Sequence, residues 1–341
     1  MNKYTISPSK NRELSFDLLK CFAIFLVIWQ HSIYSFGYGI EMLTTPIGKF
    51  ISMINMPLFM FIVGYFSKSS IQRPFRQMVK NKWDTLLMPM LVYCAIQSIV
   101  ELCLGTFTPP LYKHLILSII RPYWFIWALL YSILWYRLFR YLLPKYNTLI
   151  ISTISLMVAM LIPRGIPVPP HFAAFQSMYP FFLIGLISKE YNLLNKLKLS
   201  KWNSTIMFCS LIVFLILYFL YDKENFFYFF ILISTPKWIE SYLMMLIAGT
   251  TGILICYMAA ELLARKNTAV IKWTAEIGKY TFAIYMMQGV LCKIAEYLKY
   301  GIYNQFVLFG IALIVFFALS ESILYLRQFR IPAKYLLGKT I

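Results

Sequence analysis

Residues 15–36 read SFDLLKCFAIFLVIWQHSIYSF, and this run settles what kind of chain the sequence encodes. A helix rising about 1.5 Å per residue needs roughly 20 mostly apolar residues to cross a hydrocarbon core about 30 Å thick. The run has that length, and its interruptions are few: Asp17, Lys20 and His31. The rest of the 341-residue chain continues the pattern, with 60% hydrophobic and 13% charged residues. Soluble domains carry about 25% charged residues, and a chain this apolar cannot stay solvated and disordered. The six cysteines (Cys21, Cys94, Cys103, Cys209, Cys256, Cys292) lie in apolar runs without a CxxC pair, so no zinc site, other metal site or disulfide framework is expected. The formal charge of +19 would suit nucleic acid by its sum. In a membrane protein its distribution matters more, and no nucleic-acid partner is expected.

Working outward from the first run gives ten candidate spans, at 15–36, 47–67, 84–104, 115–136, 147–163, 173–188, 204–221, 239–262, 277–298 and 302–326. The fold expected is all-α, a polytopic bundle forming a single domain over residues 1–341. Residues 1–14 form an N-terminal segment and 327–341 a tail, both cytoplasmic. The first run is long for a secretory signal and no small-x-small cleavage pattern follows it, so it reads as a retained span. The Pro-rich turn at 163–170 separates two short spans, and the aromatic piece Phe226–Ile233 is too short to cross alone. With ten spans, 23 lysines and arginines fall on the side of the termini and 8 on the other, with Lys20 inside the first span. Such an excess marks the cytoplasmic side.

Ionisable groups inside a bilayer are costly and mark candidate sites. Eleven residues separate Lys20 from His31, which at 100° per residue is within about 20° of three full turns. Asp17 shares that face. An imidazole with an unperturbed pKa near 6.5 is available as a general base at neutral pH. The alternative is structural: Lys20 snorkels to the headgroups, and His31 makes a hydrogen bond between helices. His114 and His171 fall at membrane edges and read as interfacial. The loop from Lys68 to Lys82 carries Arg73-Pro74-Phe75-Arg76. Its charge suits either a topogenic contact with anionic lipids or a phosphorylated cofactor held by arginine. Arg137 and Arg140 repeat the spacing with the same ambiguity. Gln97, Glu101, Gln288 and Glu321 are polar residues in apolar runs, where hydrogen bonding between helices is the usual reason.

Several blocks then look familiar together. Arg12-Glu13-Leu14-Ser15-Phe16-Asp17 leads into Lys20 and His31. Met56-Pro57-Leu58-Phe59-Met60-Phe61-Ile62-Val63-Gly64-Tyr65 is followed by Arg73-Pro74-Phe75-Arg76. Tyr123-Trp124-Phe125-Ile126-Trp127, Tyr179-Pro180-Phe181-Phe182-Leu183-Ile184-Gly185 and Gly278-Lys279-Tyr280-Thr281-Phe282 complete the order. In this arrangement the chain resembles the acyltransferase-3 family of integral membrane O-acyltransferases, which includes bacterial surface-polysaccharide O-acetyltransferases. It departs from the family pattern at Lys20, where an arginine is usual, at Val63 in place of serine, and at Gln288 in place of a histidine. The resemblance implies acetyl-CoA as donor and a sugar hydroxyl of a surface polysaccharide or lipid-linked glycan as acceptor. It also implies a multi-pass location in the bacterial cytoplasmic membrane, among membrane lipids. His31 would serve as general base, while Lys20, Arg73 and Arg76 would hold the phosphate end of CoA. A transporter or flippase for a glycolipid or small polar solute is the alternative, although no paired broken helices or repeats support it.

Overall fold

Small polar residues fix where several helices begin, because a side-chain oxygen can take up an amide that the first turn leaves unpaired. Thr45 Oγ1 accepts from the Gly48 amide at 3.0 Å, ahead of Pro46. Asn147 Oδ1 accepts from Ile150 at 2.9 Å, Thr268 from Ile271 at 3.3 Å, and Asn304 from Phe306 at 2.9 Å. The computed structural model describes residues 13–106, 119, 123–162, 171–221, 238–266, 268–298 and 300–338. Within them run α1 (Leu14–Ile33), α2 (Pro46–Phe66), α3 (Lys68–Gln72), α4 (Phe75–Lys82), α5 (Met88–Cys103), α6 (Trp124–Leu142), α7 (Thr148–Leu161) and α8 (Phe172–Glu190). They continue as α9 (Leu193–Leu199), α10 (Asn203–Phe219), α11 (Trp238–Ala264), α12 (Ala269–Ile277), α13 (Thr281–Leu298), α14 (Gln305–Leu326) and α15 (Arg330–Tyr335). No strand occurs among the described residues, in agreement with an all-α fold.

A described helix overlaps each of the ten segments marked by hydropathy, and of the fourth, 115–136, α6 covers 124–136. Among the described residues, five regions are long and apolar enough to cross a membrane: Leu14–Thr44, Pro46–Phe66, Phe75–Cys103, Ile239–Ala264 and Gln305–Leu326. A sixth is reached if α9 and α10, bent by 112° at their junction, count as one span. The other segments fall short for readable reasons. Helix α7 has only 14 residues. Helices α6, α8 and α13 carry polar groups such as Arg137, Gln176 and Gln288. The Pro-rich turn at 163–170, the piece Phe226–Ile233 and His114 lie outside the described residues.

The two closest helices are α2 and α8, and α1 sits at the centre against α2, α11, α12, α13 and α14. Ala23, Ile24, Leu26, Val27 and Ile28 of α1 are all buried, so this helix is enclosed along its middle. At its first turn, Gly278 packs directly on the Asp17 carbonyl, a contact that any side chain would block. Ion pairs lace the same end of the bundle. Lys68 meets Glu190 at 2.7 Å, Lys198 meets Glu261 at 2.6 Å, and Arg327 meets Glu276 at 2.5 Å. Each such pair is worth little singly, but they join chain segments that are distant in sequence.

Candidate active site

Helix α1 is unbroken from Leu14 to Ile33, so the eleven-residue interval places Lys20 and His31 about 16 Å apart along one rod. Lys20 Nζ lies 3.2 Å from Asp17 Oδ1 and 4.8 Å from the centre of the Phe66 ring. His31 lies in the last turn, just before the wider π-helical turn Tyr34–Tyr38. Beside it, the Asn55 amide of α2 donates to Gln30 Oε1, fixing the α1–α2 contact at this level.

His31 opens onto a cavity of about 190 Å³ between α1, α13 and α14, whose wall includes Ser32, Phe36, Gln288, Cys292, Tyr300 and Val315. The imidazole has no hydrogen-bond partner among the described residues. The structural reading of His31 as a bond between helices therefore finds no support. Ser32 is already engaged, donating to the Ile28 carbonyl at 2.9 Å. A second cavity, about 160 Å³ and almost wholly apolar, is lined by Val27, Met56, Phe59, Leu86, Phe125 and Tyr285 among others. Val27 is one helical turn before His31, and Tyr285 is one turn before Gln288. The α1–α13 pair thus contributes wall to both cavities.

The remaining polar residues divide sharply. Gln97 Oε1 accepts from the Tyr123 hydroxyl at 3.5 Å, Glu101 pairs with Lys293 at 3.5 Å, and Glu321 accepts from the Trp273 indole at 3.3 Å. Those three serve contacts between helices, as expected of polar groups in apolar runs. Gln288 does not, for its Oε1 is buried with no partner.

Arg73 sits on the short α3–α4 connection and Arg76 in the first turn of α4, both at the Lys20 end, with exposed side chains and no carboxylate partner among the described residues. The second Arg-x-x-Arg plays a different part, and its spacing alone did not reveal it. Arg137 Nη1 donates to the carbonyls of Ile71 at 2.8 Å and Arg73 at 2.7 Å, and its guanidinium lies 5.6 Å from the Phe75 ring centre. Arg140 donates to the Tyr146 carbonyl at 2.8 Å. Arg137 is a brace for the loop that carries Arg73 and Arg76. Lys20's own contacts are to Asp17 and the Phe66 ring. No group of three or more His, Cys, Asp or Glu suited to a metal ion occurs among the described residues.

Comparison with known proteins settles the class. An acyltransferase domain, that of the acyltransferase-3 family, matches residues 13–325. The chain belongs to the acyltransferase-3 family. It is therefore an acyltransferase enzyme, and the transporter alternative gives way. It is also 25% identical over 307 residues to nodulation protein NolL of Sinorhizobium fredii, covering 86% of this chain and 81% of that one. Nodulation protein NolL of Mesorhizobium japonicum is 27% identical over 315 residues, covering 86% and 80%. No solved structure matches the chain.

Family membership also reinterprets the shared blocks. Gly64 in the second block and Gly185 in the fifth lie in the α2–α8 contact, where each packs on the other helix's backbone. Tyr179, of the fifth block, is fully buried and its hydroxyl lies 2.8 Å from that of Ser155. These two blocks are packing signatures of the α2–α8 and α7–α8 contacts.

Proposed function

We propose that this enzyme transfers an acetyl group from acetyl-CoA to a sugar hydroxyl of a surface polysaccharide or lipid-linked glycan in the bacterial cytoplasmic membrane, with His31 as general base. The observation that carries this reading is the unengaged His31 imidazole on the wall of a cavity inside the bundle. Such a base removes the hydroxyl proton as the oxygen attacks the thioester carbonyl. A tetrahedral oxyanion forms, the C–S bond breaks, and the thiolate of CoA leaves and is protonated. A cavity walled by apolar side chains keeps water from competing.

In this reading the donor binds from the Lys20 end. Arg73 and Arg76 hold its phosphates, since guanidinium matches phosphate oxygens bidentately. Lys20 adds a point charge, shared with Asp17. The apolar cavity below His31 gives the thioester arm a path between the helices. The acceptor then approaches from the His31 end.

The test is release of free thiol from acetyl-CoA, with transfer of labelled acetate to saccharide, by protein purified in a sugar-free detergent. His31→Ala is expected to lower transfer by about 10²–10⁴-fold, the usual contribution of general base catalysis, without loss of the monodisperse folded protein. Transfer at the wild-type rate by that variant would remove His31 from the mechanism.

A further inference from the structure

Two polar groups on the His31 cavity wall stand without partners in an otherwise largely apolar setting. One is the imidazole itself. The other is Gln288, whose side chain is only 3% exposed and whose Oε1 meets no donor among the described residues. A buried carbonyl oxygen left unpaired is costly, and such groups in folded proteins usually have a reason. A ligand carrying a hydroxyl would satisfy it, because a hydroxyl donates to a carbonyl oxygen.

The mouth of the same cavity has a flat aromatic surface. Phe36 and Tyr300 stack with ring centres 5.6 Å apart and planes inclined by 23°. Tyr300 is 53% exposed, so one ring of the pair faces outward. The pair is held in place by the backbone, where the Ile302 amide donates to the Phe36 carbonyl at 2.8 Å. Gly37 permits that approach, since any side chain there would strike the Ile302 carbonyl. A sugar ring has the complementary character: C–H faces that pack on aromatic rings, and hydroxyls at its edge that need partners.

We infer that the His31 cavity is a saccharide-binding site in which the Phe36–Tyr300 pair receives the sugar ring and the Gln288 amide accepts a hydrogen bond from one of its hydroxyls. This rests on the acyl-transfer reading above and assigns its acceptor subsite. Gln288 orients the ring so that a neighbouring hydroxyl faces His31. It takes no part in proton transfer, which an amide cannot perform.

The experiment measures steady-state transfer by the full chain in a sugar-free detergent, from acetyl-CoA to octyl β-D-glucoside, β-D-galactoside or α-D-mannoside. Gln288→Leu is expected to raise the acceptor KM at least tenfold while the acetyl-CoA KM stays within twofold of wild type. Gln288→Asn keeps a carboxamide on a shorter arm and falls between the two. Tyr300→Ala, at an exposed position where folding is not at stake, raises the acceptor KM at least fivefold, and Tyr300→Phe restores it. Unchanged acceptor KM in Gln288→Leu and Tyr300→Ala, or an equal rise in the acetyl-CoA KM, overturns the assignment. Wild-type enzyme that transfers to none of the three glycosides overturns the saccharide reading itself, and this subsite with it.

Discussion

Gly64 and Gly185 are packed reciprocally: a Cβ on Gly64 would strike the Phe182 carbonyl of α8, and one on Gly185 would strike the Phe61 carbonyl of α2. Small residues allow helix backbones to approach this closely in a membrane, where dispersion contacts replace the hydrophobic drive. Because the obstacle is backbone on both sides, it cannot swing away. Gly64→Ala and Gly185→Ala are each expected to destabilise the bundle by about 1–3 kcal/mol, the range for overpacking. Thermal unfolding in detergent, followed by loss of the monodisperse peak, checks this. The double variant should fall short of the sum, since both changes push the same pair apart.

Arg73→Ala and Arg76→Ala should raise the acetyl-CoA KM about tenfold each, the cost of roughly one charge-assisted hydrogen bond, with kcat less affected. Contacts made equally in ground and transition states behave this way. Steady-state kinetics with acetyl-CoA varied decide the matter, and a normal donor KM in both would leave the loop a topogenic signal.

Arg137→Ala should mimic those loop variants although Arg137 acts on the loop from outside, through the carbonyls of Ile71 and Arg73 and the face of the Phe75 ring. The expected result is a raised acetyl-CoA KM together with a lower melting temperature. Arg137→Lys, which has one ammonium in place of the guanidinium fork, should recover only part of both. A change in stability without a change in donor KM would separate the brace from the donor site.

Burial alone would raise the Glu276 carboxyl, but hydrogen bonds and charge from Lys279 and Arg327 outweigh it and hold the pKa below the ordinary value of 4.5. A depressed folded-state pKa stabilises the fold above the unfolded value and loses that contribution as pH falls through the folded one. The bundle should therefore lose stability as pH drops below about 4.5, and Glu276→Gln should flatten that part of the profile. Melting temperatures from pH 7 down to pH 3.5 measure it. Equal acid sensitivity in wild type and variant would exclude Glu276 as a contributor.

Hydropathy located every described helix of the bundle core because a lipid-facing stretch must be apolar for about 20 residues whatever it packs against. It was less informative about α6, α8 and α13, where Arg137, Gln176 and Lys293 meet partners on other segments. The site shows the same division. Lys20 and His31 could be read together because both lie on α1 and helix geometry relates them directly. Gln288 reads in the sequence like Gln97, another amide in an apolar run. Only packing separates them, since Tyr123 reaches Gln97 and nothing reaches Gln288 Oε1. Likewise Arg137 looks like a duplicate of the loop motif until its guanidinium is seen to close on the Arg73 carbonyl.

The unbroken course of α1 limits how this protein can vary in length. One residue inserted between Lys20 and His31 would turn the imidazole by about 100° and carry it about 1.5 Å along the axis, away from Gln288 and toward another neighbour. A deletion would do the same in the opposite sense. Side chains along the interval can be exchanged for others of similar bulk, but the count of residues between Lys20 and His31 cannot change without taking the imidazole out of its chamber.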